Sequence, residues 1–341
     1  MRFGLALPHY DFSLPDRRSI TFEALREWAV RAERLGFDSV WISDHFFLSL
    51  ARYGGKDEPF GSLEPLTALA ALAGATERVR LGTLVLCAPF RHPALLAKAA
   101  TTIDLASDGR FDLGIGSGWY ADEFARFGLP FGAVGERFAI LEEQLEVLGP
   151  LLAGGPVDHE GPRYPMQGAL NRPEPAQRPR PPIWVGGKGG PRLLRAIARY
   201  ADGWNAVWRW SPDAYADKLR DLERVCEEVD RDPATVRRSV GLYTIVGEDH
   251  ADLERRIEHL RTWSPGLDTT AREELSTHYL VGTPEQVRER IATFDDLGVE
   301  ELILTPAQIP FAIPDADMLE LIAEKVVGPL GASGERSDQR R

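Results

Sequence analysis

The sequence predicts an α/β protein folded as a (β/α)₈ TIM barrel with insertions. Short apolar segments alternate with amphipathic helical segments along most of the 341 residues, and the alternation gives eight strand-helix repeats. The strand segments are apolar throughout, as is typical of parallel strands that are buried on both faces. A doubly wound parallel sheet is the alternative fold, because one or two strands more or fewer would change the class.

The predicted elements follow in chain order, and residues that favour helix starts precede two of the helices. Thr21 is the predicted N-cap of the first helix, and Thr283 and Gln286 form a predicted capping box at the start of a late one. The remaining predicted helices include residues 63–70, 93–106, 122–152 and 193–200. The predicted strands are 3–7, 39–42, 79–86, 111–115, 183–185, 204–207, 240–246 and 302–304.

One domain is predicted over residues 1–328, with an ordered insertion at about 154–182. The insertion has eight prolines and no sustained periodicity, and we expect it over one end of the barrel, beside the functional site. A second, weaker interruption lies around 262–277. Residues 329–341 are rich in Ser, Gly and charged side chains and are predicted to be a disordered tail.

Composition excludes several classes of function. The formal net charge of −12 argues against nucleic acid and anionic membranes as main partners, since both need a basic face. The two cysteines imply no disulfide framework. No signal-peptide core and no apolar run of membrane-spanning length is present, so the expected compartment is the cytoplasm.

The most informative stretch is the glycine-rich run after the fourth predicted strand. Gly116, Gly118 and Ala121 satisfy the dinucleotide pattern G-x-G-x-x-G/A. That pattern requires a further strand about 20 residues on, whereas residues 122–148 are helical and Gly149-Pro150 follows them. The glycines are therefore predicted to end a barrel strand beside a ligand, where backbone can approach closely.

Polar and glycine residues follow several other predicted strands at the carboxyl ends, where TIM barrels hold their active sites. Asp44 and His45 come directly after the second strand, and His45 has the chemistry of a proton donor or acceptor. His9 is a weaker candidate of the same kind. The other histidines have no metal-ligand spacing, so no metal site is predicted.

The turn from Gly186 to Gly190 is a predicted phosphate site. It lies between a strand and a helix, so its N–H groups and the helix N-terminus favour an anion, and Lys188 adds a positive charge. It is not a Walker A loop, because the required spacing and the Ser or Thr after Lys are missing. A tight turn that simply needs glycine geometry is the alternative interpretation.

Several of these motifs together resemble the bacterial luciferase-like flavin monooxygenase superfamily over about residues 1–325. The residues that carry the resemblance are Leu81-Gly82-Thr83, Arg91-His92-Pro93, Gly109 to Trp119, Val185-Gly186-Gly187 and Tyr200 to Asn205. The sequence Ser43-Asp44-His45-Phe46 resembles the branch that uses the deazaflavin coenzyme F-420, since the luciferases have Glu-His-His-Phe there.

The resemblance implies a luciferase-like TIM barrel, a non-proline cis peptide near Leu84-Val85, and catalytic roles for Asp44 and His45. Asp44 would bond to the coenzyme ring region, and His45 would donate or accept a proton. The coenzyme would be deazaflavin F-420, with FMN as the alternative. The expected coenzyme-binding residues are Pro8, Asp44, Thr83, Leu84, Val85, Gly116, Ser117, Gly118, Trp119, Gly186, Gly187, Lys188 and Gly189.

The expected function is hydride transfer between a deazaflavin and an unknown small organic substrate. The alternatives are a reduced-FMN monooxygenase supplied by a separate flavin reductase and a flavin-binding barrel without catalysis. Trp119 stands where the sugar-phosphate dehydrogenase of this branch has an acidic residue, and Leu48 stands where it has Trp. We therefore expect an aromatic or apolar substrate pocket rather than one for glucose-6-phosphate. A flavin or deazaflavin reductase as partner, and a homodimer, remain open.

Overall fold

Eight parallel strands close into a barrel, which confirms the predicted TIM fold and excludes the doubly wound sheet. The computed structural model describes residues 1–16, 19–263, 266 and 269–330. The fifth strand pairs with the fourth through Ile183 and Leu113, and the eighth pairs with the first. The barrel strands are β1 (Arg2–Ala6), β2 (Ser39–Ile42), β3 (Arg80–Thr83), β4 (Phe111–Gly116), β5 (Ile183–Gly186), β6 (Gly203–Ala206), β7 (Arg237–Val246) and β8 (Glu301–Thr305).

Helices surround the barrel and begin where the sequence signals indicate. Thr21 caps the first helix by accepting from the Ala24 N–H at 3.2 Å, and Thr283 and Gln286 form the predicted capping box of the helix that begins at Pro284. The helices are α1 (Phe22–Arg34), α2 (Pro65–Ala73), α3 (Pro93–Ala106), α4 (Ala121–Arg126), α5 (Val134–Leu152), α6 (Pro191–Tyr200), α7 (Pro212–Glu228), α8 (His250–Trp263), α9 (Arg272–His278), α10 (Pro284–Asp296) and α11 (Ala316–Ile322). None of the helices in the described part of the chain has the length and apolarity needed to span a membrane.

The third strand is interrupted, in contrast to the continuous strand predicted over 79–86. β3 ends at Thr83, the Leu84-Val85 peptide is cis as the resemblance implies, and a separate short strand, Leu86–Cys87, pairs with β4. The predicted helix over 122–152 is likewise divided into α4 and α5. Shorter strands lie outside the barrel at Phe47–Ser49, Pro59–Gly61, Val157–His159, Met166–Ala169 and Leu280–Gly282.

Two tryptophans fill the interior of the barrel. The rings of Trp41 on β2 and Trp184 on β5 are fully buried and meet edge to face, 6.3 Å apart. Gly82 and Gly203 make room for them, since a Cβ atom on either glycine would lie within 2.2 and 2.3 Å of Trp41 and Trp184 respectively. Small and very large residues on neighbouring strands therefore interlock across the barrel axis.

The proline-rich insertion contributes no residue to the cavity described below, and its predicted place beside the functional site stays a prediction. Gln177 donates to Asp104 and to the Phe111 carbonyl, and Arg180 pairs with Asp202, contacts that hold the second half of the insertion at the amino ends of β4 and β6. None of the cavity-lining residues described below comes from 154–182. Residues 331–341 of the predicted tail lie outside the described residues, and Pro329 and Leu330 are helical.

Candidate active site

A cavity of about 730 Å³ opens at the carboxyl ends of the barrel strands. Its lining brings together most of the residues that the sequence analysis selected at separate strand ends. These are Asp44, His45, Leu84, Val85, Gly116, Ser117, Gly118, Trp119, Gly186, Gly187 and Lys188. The barrel rule therefore located the walls of the cavity correctly.

Three of the expected coenzyme-binding residues do not line the cavity. Pro8 is buried. Thr83 is occupied within the barrel, because its hydroxyl donates to the Gly114 carbonyl and accepts from the Gly114 N–H, both at 2.8 Å. Gly189 packs behind the wall, where a Cβ atom would lie 3.1 Å from Trp204. Their predicted roles in coenzyme binding stay predictions.

Asp44 lines the cavity, but its carboxylate is already occupied by protein donors. One oxygen accepts from the Cys87 backbone N–H at 2.9 Å and from Arg91, and the other accepts from Arg91 at 3.0 Å. Arg91 also pairs with Glu64 at 2.6 Å. Because both oxygens are engaged, the geometry suits Asp44 to holding the Cys87 segment in place rather than to proton transfer.

His45 faces a buried carboxylate that the sequence analysis did not select. Its Nδ1 lies 2.9 Å from an oxygen of Glu123, whose other oxygen accepts from the Phe46 N–H at 3.0 Å. Glu123 is in the first turn of α4 and only 1% exposed. A carboxylate so placed fixes the orientation and tautomer of the imidazole, as in other His-carboxylate pairs.

A second histidine lies behind the cavity in a chain of hydrogen bonds. His9 Nδ1 is 3.0 Å from the Leu7 carbonyl, its Nε2 is 3.0 Å from the Ser43 hydroxyl, and the Tyr10 hydroxyl lies 2.5 Å from that of Ser43. Burial lowers the pKa of His9 to about 3, so the ring is neutral at physiological pH. Tyr10 and Ser43 reach the cavity surface, whereas His9 is fully buried.

Lys188 is part of the cavity wall, and its surroundings are cationic. Its ammonium group donates to the Trp208 carbonyl and lies 4.8 Å from the centre of the Trp210 ring. Partial burial, followed by the charges of Arg209 and Arg52, lowers the pKa of Lys188 to about 8. The Gly187 N–H donates to the Asn205 carbonyl at 3.1 Å, so this amide of the predicted phosphate turn is not free.

Sequence reasoning missed several lining residues that come from distant segments. One sequence feature could have predicted Glu123, because it is an acidic residue in the first helical turn after the glycine-rich strand end. No sequence feature distinguishes Arg52 and Arg209, since a charged loop residue is ordinarily solvated. Other missed lining residues are Tyr53, Tyr243, Tyr279, Gln308 and Phe311.

Comparison with known proteins identifies the family. Residues 1–301 match the model of the family described as luciferase-like monooxygenase. A relative named F420-dependent glucose-6-phosphate dehydrogenase, from Amycolatopsis mediterranei, is 33% identical over 280 residues, which cover 82% of this chain and 78% of the relative.

Two solved structures also superpose on almost the whole chain. An F420-dependent secondary alcohol dehydrogenase, in complex with an F420-acetone adduct, has a TM-score of 0.76 at 20% identity and covers 96% of this chain and 98% of its own. The monooxygenase RslO1 from Streptomyces bottropensis has a TM-score of 0.73 at 25% identity, covering 97% of this chain and 100% of its own. The chain is an enzyme of the luciferase-like monooxygenase family.

Proposed function

We propose that this enzyme transfers a hydride between the deazaflavin coenzyme F420 and a small organic substrate. The observation that carries the proposal is the pairing of His45 with the buried Glu123 in a cavity whose walls are glycine-rich strand ends. The F420-dependent relative at 33% identity supports the choice of coenzyme.

The cavity residues fit a planar coenzyme with an anionic group. Gly116 and Gly186 lie against Val85 with no room for a side chain, since a Cβ atom on either would lie 2.9 or 2.6 Å from it, so this wall is flat. The buried Oε1 of Gln308 has no hydrogen-bond partner among the described residues, which suits a polar ligand atom. We place the ring along Leu84, Val85 and Gly116 to Gly118, and the phosphate near Gly186 to Lys188.

The bound coenzyme supplies the hydride chemistry, while the protein orients it and handles the proton. We assign the proton to His45, because Glu123 occupies Nδ1 and leaves Nε2 as the nitrogen that exchanges a proton with the substrate. Asp44 has an indirect role in shaping the cavity wall. Its carboxylate accepts hydrogen bonds from Arg91 and from the Cys87 N–H, and these bonds position the segment after Val85.

A direct test compares the affinities of the purified protein for F420 and FMN by fluorescence titration. We expect tighter binding of the deazaflavin, and unchanged binding in the surface variant Arg220→Gln on α7. Equal or tighter binding of FMN, with NADPH-linked oxygen uptake once a flavin reductase is added, would instead support a monooxygenase, the activity that the name of RslO1 states.

The assembly and compartment are also proposals. We propose a homodimer through α3, because Leu95 is 71% exposed and Leu105 is 42% exposed, with Ala99 and Thr102 between them at helical spacing. Two exposed leucines on one helix face are costly to leave in water. Cys87 and Cys226 are both free and buried, which supports a reducing compartment such as the cytoplasm.

A further inference from the structure

Three cationic side chains line the cavity, and they are close enough to influence one another. Lys188 lies on the turn after β5, Arg209 follows β6, and Arg52 comes from the loop segment after β2. The like charges of Arg209 and Arg52 both contribute to the lowered pKa of Lys188. This part of the cavity is therefore electropositive although the whole chain has a net charge of −12.

The acidic groups of the cavity do not neutralise this charge. Asp44 is bound by Arg91, and Glu123 is bound by His45 and the Phe46 N–H. Arg209 pairs with Glu274. Among the described residues, no carboxylate forms an ion pair with Arg52 or with Lys188. If Lys188 binds the coenzyme phosphate, the guanidinium of Arg52 is available to bind a second anion.

The surroundings of Arg52 are aromatic rather than polar. Its guanidinium lies 4.5 Å from the centre of the Trp119 ring, which is 44% exposed and itself 5.5 Å from the His45 ring. Trp208 and Tyr243 stack 5.5 Å apart on another part of the lining. A molecule of one or two rings is long enough to touch both Arg52 and His45.

Among the described residues of this part of the cavity, the threonine hydroxyls that could recognise a sugar already have hydrogen-bond partners. The hydroxyls of Thr269 and Thr270 both donate to the Gly266 carbonyl at 2.9 Å. Polar groups that already have partners gain little from a polyhydroxylated ligand, whereas a flat apolar body gains from contact with the indole.

We infer that the substrate is a planar, largely apolar molecule with one anionic group, its flat body against Trp119 and its anion on Arg52. This inference rests on the proposed function, because it takes the coenzyme phosphate to be near Lys188. The inferred substrate shares an anionic group with the glucose-6-phosphate in the relative's name. It differs from that sugar phosphate in having a flat, apolar body. Arg52 is then the residue that determines specificity.

The test measures binding of 2-naphthoate, 2-naphthamide and glucose-6-phosphate by isothermal titration calorimetry, with and without F420. We expect 2-naphthoate to bind roughly 10- to 100-fold more tightly than its neutral analogue 2-naphthamide, the range for one charge-assisted hydrogen-bonded pair. We expect it also to bind more tightly than glucose-6-phosphate. Arg52→Gln should remove the preference for naphthoate over naphthamide and leave F420 affinity unchanged, whereas the control Arg220→Gln should alter neither.

The inference is overturned if naphthamide binds as well as naphthoate, or if glucose-6-phosphate binds most tightly. It is equally overturned if Arg52→Gln weakens F420 binding and leaves naphthoate unaffected, since Arg52 then belongs to the coenzyme. Failure of wild-type protein to bind F420 refutes the proposed function separately. The probe titrations on coenzyme-free protein then decide the substrate class without it.

Discussion

Asp44→Asn is expected to lower stability much more than it alters ligand contacts. Asp44 is 5% exposed, and its carboxylate accepts from the Cys87 N–H at 2.9 Å and from two nitrogens of Arg91. Removing one partner of a buried ion pair costs about 3–5 kcal/mol. Arg91 is partly exposed and keeps Glu64, and the amide oxygen of Asn can still accept from Cys87, so we expect about 2–3 kcal/mol here.

Urea unfolding measures this loss as a shift of the midpoint at unchanged slope. The double-mutant cycle with Arg91→Met should give a coupling energy above about 1 kcal/mol, since the two side chains are in direct contact. The exposed pair Glu23–Arg26 is the matched control, and Glu23→Gln should leave the unfolding midpoint unchanged. A loss below about 0.5 kcal/mol for Asp44→Asn, or additive single variants, would refute the positioning role and return Asp44 to catalysis.

The remaining predictions concern charge, protonation and assembly. Glu123→Gln should slow turnover about 10- to 150-fold, because losing one charged hydrogen bond costs about 1.5–3 kcal/mol. The rate of coenzyme reduction in a single turnover measures this loss. An unchanged rate would contradict the role of the His45–Glu123 pair. Because the pKa of Lys188 is about 8, its charge is present below that pH, so F420 affinity should weaken as the pH rises through 8. In Lys188→Ala this pH dependence should disappear, and the binding free energy of F420 should weaken by roughly 1–3 kcal/mol. An unchanged F420 affinity would show that Lys188 does not bind the phosphate. His9 has a pKa lowered from 6.5 to about 3, so the unfolded chain binds one more proton between these values. Unfolding free energy should therefore fall as pH drops below 6.5, by up to about 1.4 kcal/mol per unit from this residue, and His9→Gln should flatten that slope in urea unfolding series. Leu95→Glu should produce monomers by light scattering after size exclusion, and a wild-type monomer would contradict the proposed dimer.

Local signals in the sequence predicted the fold well. Parallel strands that are apolar on both faces, capping residues such as Thr21, and proline at a helix start all act within a few residues of the chain. β2 and α3 accordingly begin and end where predicted. The third strand was predicted as continuous because a cis peptide at Leu84-Val85 has no compositional signal of its own; the family resemblance alone implied it.

The site was predictable only in position. The barrel places strand ends together, so Asp44, His45, Gly116 and Lys188 were expected to meet. Their partners were not, because Glu123 lies 78 residues from His45, and Arg91 lies 47 residues from Asp44. Proline content marked residues 154–182 as a long loop, yet nothing in composition indicates which end of a barrel a loop covers.

The tryptophans inside the barrel bear on the order in which ligands come and go. The rings of Trp41 and Trp184 fill the barrel axis, so ligands enter and leave the cavity from the carboxyl ends of the strands. Leu84, on the proposed coenzyme wall, is 5% exposed, whereas Trp119 is 44% exposed and lies nearer the rim. A substrate seated on Trp119 would then cover the coenzyme, so the coenzyme must enter first and leave last. Steady-state kinetics should therefore be ordered, with F420 as the first ligand to bind and the last to leave.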